Sequence, residues 1–293
     1  MLKQRIITGV VLAVGLLSAL WFLPDTALMV LLALVLLIGA WEWAGLSGLV
    51  GSVARVVYVL CIAAVLLVLW WGSQLNAQLA PRWIIAAGGV WWLLALVCVT
   101  TYPASARIWG KQALELVIGA LVLVPALFAT LALIQVPQGR LWVLFVVLIV
   151  ASADIGAFFS GRRFGRRRLA PSVSPGKTLE GLVGGLCSVA LLALVCAWGV
   201  SYTSPGGFAE ISGFTEMPTA DWLQWLLVVL ITGLASVLGD LNESMVKRHR
   251  GIKDSGTILP GHGGVLDRVD SLSAALPVFV LLVWAFDLIA LSV

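Results

Sequence analysis

Nine apolar runs, each close to the length a helix needs to cross a bilayer, constrain this chain more than any other feature. They cover about 6–23, 27–47, 54–72, 83–101, 112–134, 141–160, 179–202, 222–241 and 271–291. A spanning helix takes about 20 residues, because the hydrocarbon core is about 30 Å thick. Lipid offers backbone N–H and C=O groups no partners, so helices that satisfy their own backbone are the expected solution. Composition agrees: 61% of residues are hydrophobic and 11% charged, against about 25% charged in a soluble domain. The expected fold class is all-α, a polytopic integral membrane protein of about nine transmembrane helices. No Pro/Gly/Ser-rich linker interrupts the series. One membrane domain over 1–293 is expected, its N-terminal spans (1–140) followed by C-terminal spans (141–293) that carry the polar chemistry.

Charge sets the orientation, since basic residues concentrate in cytoplasmic loops. With the N-terminus in the cytoplasm and nine spans, Lys3, Arg5, Arg55, Arg107, Lys111, the loop from Arg162 to Lys177 and the stretch from Lys247 to Arg268 all fall inside. Of the 18 basic residues, only Arg82 and Arg140 fall outside, and the longest external loop is acidic through Glu210 and Glu216. The C-terminus is then external. The N-terminus resembles a signal peptide, but no small-x-small cleavage site follows, so it reads as a retained first span. Tryptophans near predicted span ends (Trp21, Trp41, Trp43, Trp70, Trp71, Trp83, Trp109, Trp142, Trp222) read as an interfacial belt. Cys61, Cys98, Cys187 and Cys196 lie inside apolar runs without metal or redox spacing, and read as small buried thiols. Gly181 and Gly185 form a GxxxG that favours close helix packing, within a subunit or between subunits.

Against this background two predicted cytoplasmic segments are conspicuously polar. In "LGDLNESMVKRHRG" a continuous helix puts Asp240, Glu243, Ser244 and Lys247 at i, i+3, i+4 and i+7, on one face. After the glycine-rich "PGHGG", Asp267 and Asp270 stand at i, i+3 where the last span begins. Carboxylates on rigid helix ends suit a hard divalent cation, and Mg²⁺ takes one or two of them plus substrate phosphates. Lys247, Arg248, Lys253 and Arg268 supply positive charge for polyphosphate oxygens. Gly263 and Gly264 would let backbone amides, and the helix N-terminus after them, approach an anion. Together these features describe phosphoryl or nucleotidyl transfer, where positioning and charge stabilisation do most of the catalysis. A solvated loop accounts for the basic residues alone, but not for acids in phase on two helix ends.

The other segment runs from Ala153 to Gly185. Asp154 lies within the sixth run, either as a structural acid paired to an arginine or as part of the site. Contact with anionic lipid headgroups accounts for Arg162, Arg163, Arg166, Arg167 and Arg168. "SPGKTLEG" matches only the end of a Walker A motif: Pro171 stands where the first glycine belongs, and no strand is expected before it. Instead Ser174 reads as an N-cap with Pro175 at the first helical position. Lys177 and Glu180 are then placed to reach the shared pocket. Zinc is set aside, because His249 and His262 are the only histidines and no cysteine is near them. His262 reads as a phosphate or substrate contact. Glu42, Glu115 and Asp287 read as interfacial or structural acids.

The run Ser244-x-Val246-Lys247-Arg248, four residues, Lys253-Asp254-x-Gly256, then Leu259-Pro260-x-His262-Gly263-Gly264-Val265-x-Asp267-Arg268-Val269-Asp270 resembles the signature of the phosphatidate cytidylyltransferases. The upstream "GDLNES" and "SPGKTLEG" resemble that family too, while the first five spans do so weakly. The resemblance implies that CTP and phosphatidate give CDP-diacylglycerol and pyrophosphate, with Mg²⁺ held by Asp240 and Asp267 and K⁺ a further candidate cation. From charge and motif position, Asp240, Asp267, Lys247 and Arg268 are expected as the catalytic set, the two basic side chains stabilising the departing pyrophosphate. Substrate contacts are expected from Ser244, Arg248, Lys253, Asp254, His262, Gly263, Gly264, Asp270, Lys177, Glu180 and Asp154. It also implies a homodimer, expected in the cell's inner (cytoplasmic) membrane, and the charge bias puts its site on the cytoplasmic face. The nearest rival is a CTP-dependent membrane lipid kinase, which would release CDP instead of pyrophosphate. A transporter would need charged or broken helices near the midplane, in pseudo-symmetric halves.

Overall fold

The computed structural model describes residues 2–75, 80–202 and 219–288. Glu210 and Glu216 of the predicted external loop lie outside the described residues, as do the side chains of Lys3 and Arg5. The long helices are α1 (Leu2–Phe22), α2 (Asp25–Leu46), α3 (Ser52–Leu75), α4 (Ala80–Thr100), α6 (Gln112–Ile134), α7 (Gly139–Phe164), α8 (Leu179–Tyr202), α9 (Thr219–His249) and α10 (Leu266–Ala285), with a short α5 (Ala106–Trp109). Among the described residues, eight are long and apolar enough to cross a membrane, and Ile7–Phe22 is a shorter apolar stretch. One element is not helical. Arg168–Ala170 (β1) and Ser174–Thr178 (β2) pair as an antiparallel hairpin between α7 and α8.

That hairpin corrects the expected helix start. Ser174 and Pro175 belong to β2, and α8 begins four residues later. Thr178 is the cap, its Oγ1 accepting the amide of Gly181 at 3.1 Å. A strand delivers Ser174–Thr178 to the helix, so the capping hydroxyl moves to the residue where the backbone turns from extended to helical.

Helix α6 is the axis of the bundle, packed by α2, α4, α7 and α10. By contrast, α3 packs mainly on α2 and α4, donates from Tyr58 Oη to the Leu116 carbonyl of α6 at 2.9 Å, and presents Val53, Leu60, Leu67 and Val68 outward. Apolar side chains on the outside and a close-packed inside are what a lipid solvent demands. The closest pairs are α7 with α8 and α9 with α10. Gly181 and Gly185 serve the first of these within the subunit: a Cβ on Gly185 would lie 2.7 Å from the Ala153 carbonyl oxygen. Gly239 serves the second, since a Cβ there would strike the Asp270 carbonyl.

Two further expectations change. Trp43, Trp109 and Trp142 are core residues: Trp43 Nε1 donates to the Glu115 carbonyl at 2.7 Å, and Trp142 stacks on Trp225 at 5.4 Å. Trp21, Trp70, Trp71 and Trp83 do face outward. Cys61 and Cys187 are exposed on the outer surface of their helices instead of buried, because on an apolar span a small thiol is as well placed toward lipid as toward the core.

Candidate active site

The polar residues of both segments meet at one end of the bundle, because α7, β2, α9 and α10 all present that end to one another. Helix periodicity places Ser244 one turn after Asp240, and its hydroxyl donates to Asp240 Oδ1 at 3.1 Å. Lys177, carried in by β2, reaches Asp240 Oδ2 at 2.7 Å. One turn further along α9, Lys247 Nζ lies 3.1 Å from Glu243 and 2.7 Å from Asp267 Oδ1. Asp270 accepts its neighbour's amide, from Ser271, and stands within Coulomb range of Asp240, Lys177 and Lys247. Asp154 has no ion pair to an arginine among the described residues; it opens onto the same region and feels Lys177, Asp240 and Arg268. Lysines and carboxylates therefore alternate across three helices and a strand.

The two acids assigned to metal are not equivalent. Asp267 is nearly enclosed, and its carboxylate accepts Lys247, the amide of Gly264 at 2.8 Å and the amide of Ser255 at 3.0 Å. Asp240 is more open. Beside Lys247, Glu243 is buried, and its Oε2 has no hydrogen-bond partner. No group of three His, Cys, Asp or Glu among the described residues forms a metal cage by itself. Oxygen-only acids neutralised by lysine ammonium groups, with an orphaned buried carboxylate oxygen on the same helix as Asp240, fit a hard cation completed by substrate oxygens.

The glycine-rich loop departs from expectation. Its amides were expected to face a ligand, but Gly264 N–H donates to Asp267, and Val265 and Leu266 N–H donate to Glu42 at 3.0 and 2.7 Å. A carboxylate of α2 thus occupies the helix N-terminus where an anionic substrate was expected, as the helix dipole and free amides favour. Ser255 Oγ also donates to Glu42, at 3.2 Å. Gly263 has φ +80°, and a Cβ on it would lie 2.5 Å from Asp267 Oδ2. A Cβ on Gly264 would run into Ser255 and Glu42. These glycines make room for two carboxylates of the protein.

Several predicted contacts also point elsewhere. Glu180 accepts the amides of Arg166 and Arg167 at 2.9 and 3.1 Å, closing the turn before β1 instead of reaching the pocket. Arg248 Nε donates to the Val173 carbonyl at 3.2 Å and ties α9 to the hairpin. His262 lies toward α1, near Gly9, while its carbonyl accepts Arg268 at 3.1 Å. Lys253 and Asp254, by contrast, stay exposed on the loop, where a substrate can reach them.

Two acids that read from sequence as interfacial or structural prove structural and hold the loop. Besides Glu42 at its α10 end, fully buried Glu115 receives Arg250 through two nitrogens, at 2.7 and 2.9 Å, and Arg250 also donates to the Ser47 carbonyl. Their signal was present: an acid inside an apolar span is costly unless a partner awaits it.

A sequence model of the cytidylyltransferase family matches residues 3–286. The chain is 42% identical over 285 residues to the phosphatidate cytidylyltransferase of Pseudomonas aeruginosa, covering 97% of this chain and 98% of that protein. It is 37% identical over 293 residues to the phosphatidate cytidylyltransferase of Haemophilus influenzae, covering 95% and 97%. The phosphatidate cytidylyltransferase of Bacillus subtilis is 37% identical over 149 residues, about half of each chain.

Proposed function

The chain belongs to the cytidylyltransferase family, and from that membership we propose that it is a phosphatidate cytidylyltransferase, a nucleotidyltransferase of phospholipid biosynthesis that converts CTP and phosphatidate to CDP-diacylglycerol and pyrophosphate. One arrangement carries the assignment: acids and lysines dispersed over residues 154–270 alternate around Asp240 at one end of an apolar bundle. The lipid-kinase alternative is dropped, because the family and both full-length relatives are named for cytidylyl transfer.

A phosphate oxygen of phosphatidate attacks the α-phosphorus of CTP. The bond from that oxygen to α-phosphorus forms as the bond from α-phosphorus to the bridging oxygen breaks, and pyrophosphate leaves with the electron pair. A phosphomonoester dianion is already a competent nucleophile, so no strong base is required, and Asp270 needs only to orient. Lys177 and Lys247, now paired with Asp240 and Asp267, supply positive charge to phosphate oxygens, and Arg268 and Lys253 at the rim add to it. Ser244 fixes the Asp240 carboxylate. Asp240 and Asp267 would hold Mg²⁺, with K⁺ a further cation, supplying neutralisation of charge on the phosphate oxygens. Asp154 and Lys177 line the approach; Gly263, Gly264 and His262 shape the loop that carries Asp267.

The enzyme is read as nine spans with the N-terminus inside and the site at the cytoplasmic face of the inner membrane, as a homodimer. Sixteen of the 18 basic residues fall on the cytoplasmic side when nine runs are threaded, which supports that orientation. One domain, 1–293, is supported by the ties from Glu42 and Glu115 to the loop between α9 and α10.

Purified protein in detergent with phosphatidate, labelled CTP and Mg²⁺ tests the assignment. Equal yields of pyrophosphate and labelled lipid are expected. CDP release, or neither product, overturns it.

A further inference from the structure

The lipid substrate of the proposed reaction carries two acyl chains, and the inference below rests on that assignment. Two hollows meet beside the hairpin. One, of about 550 Å³, is lined by Asp154, Arg162 and Lys177 and belongs to the site. The other, of about 570 Å³, runs between α4 and α9 and is walled by Leu93 and Leu96 on one side and Ile231 and Leu234 on the other. No charged side chain lines it among the described residues, and Pro171–Val173 at the hairpin tip cover one end. Leu93, Leu96 and Leu234 are exposed, so the trough opens sideways toward where lipid would be. Leu169 of β1, Leu182 of α8 and Val237 of α9 line both hollows. An apolar trough and a cationic chamber thus share one wall of three apolar side chains.

That juxtaposition has the polarity of a phospholipid. Both volumes lie in the range of roughly 300–1,000 Å³ that small-molecule sites occupy. We propose that the trough between α4 and α9 binds an acyl chain of phosphatidate, the lipid entering sideways with its phosphate toward Arg162 and Lys177 and the hairpin marking headgroup level. The trough would then be a specificity subsite that reads chain length.

The test compares dioleoyl with dioctanoyl phosphatidate as substrates of the full-length enzyme in detergent. Leu96→Trp and Leu234→Trp, made separately, each fill the trough from one wall. Leu67→Trp, exposed on α3 and lining neither hollow, is the control. The ratio of kcat/KM for dioleoyl over dioctanoyl lipid is expected to fall about tenfold in both trough variants, equivalent to losing two buried methylenes, and to stay unchanged in the control. As an independent readout, phosphatidate bearing a chain-terminal diazirine should label α4 or α9 of the unmodified enzyme. Active trough variants with an unchanged ratio, or labelling confined to other helices, would overturn the proposal. So would crosslinking of the trough to a second copy of the chain. If the unmodified enzyme converts neither lipid, the fault lies with the assigned reaction instead of the trough.

Discussion

Asp240 keeps 30% of its side chain accessible and Asp267 only 7%, so the same change should act differently at the two positions. Asp240→Asn removes a charge open to substrate: turnover should fall by at least about 100-fold, the scale of losing one preorganised electrostatic group, with an unchanged Tm in detergent. Asp267→Asn should lose turnover and also Tm, because Lys247 and the amides of Ser255 and Gly264 lose an ionic acceptor, at about 1–3 kcal/mol. Equal Tm for both variants would refute the distinction. Glu42 acts at a distance from chemistry, as a positioning residue at the start of α10. Glu42→Ala strands two backbone amides and should cost kcat more than KM, with Glu42→Gln, which keeps an acceptor, restoring part of the loss. Kinetics across the two variants decide it. Asp240, Ser244, Lys247 and Asp267 were legible because their spacing matches a helix face and a motif. Glu42 was not, since its partners lie 213 to 224 positions away.

At the scale of elements, the hairpin and the glycine seams set which polar residues meet. Lys177 reaches Asp240 because β2 is a strand whose length places it beside α9, and Thr178 rather than Ser174 starts the helix. Short strands inside an apolar chain leave no periodic signal in "RLAPSVSPGKT", so from sequence alone this element reads as loop and helix cap. Gly185 brings α8 against α7, the helix bearing Asp154. Gly185→Leu should therefore cost about 1–3 kcal/mol through overpacking and lower turnover with it. Gly72→Ala, with nothing within 4 Å of the added carbon, should change neither, and a thermal melt plus an assay of each checks the contrast.

At the scale of the whole molecule, the N-terminal helices serve as a frame for the C-terminal site. Arg250 ties the end of α9 to Glu115 on α6 and to the turn after α2. Arg250→Ala would leave the fully buried Glu115 carboxylate without its guanidinium, with only His249 at 3.6 Å beside it, at about 3–5 kcal/mol. Arg140, paired with Asp25 at the opposite end of the bundle, makes the contrasting case. Asp25 is 66% exposed, so Arg140→Ala should cost no more than about 1 kcal/mol. Detergent melts of both variants test the ranking; a larger loss in Arg140→Ala would reverse it. The sequence by itself determined the solvent, the helical class and the chemistry. Apolar runs of spanning length admit few folds in lipid, and acids in helical phase beside lysines admit few reactions. Tertiary structure alone decided which amides were already taken, which tryptophans lay inside, and that α2 and α6 hold the loop. Those outcomes depend mainly on contacts between residues 72 to 224 positions apart, and such contacts leave no local period or spacing to read.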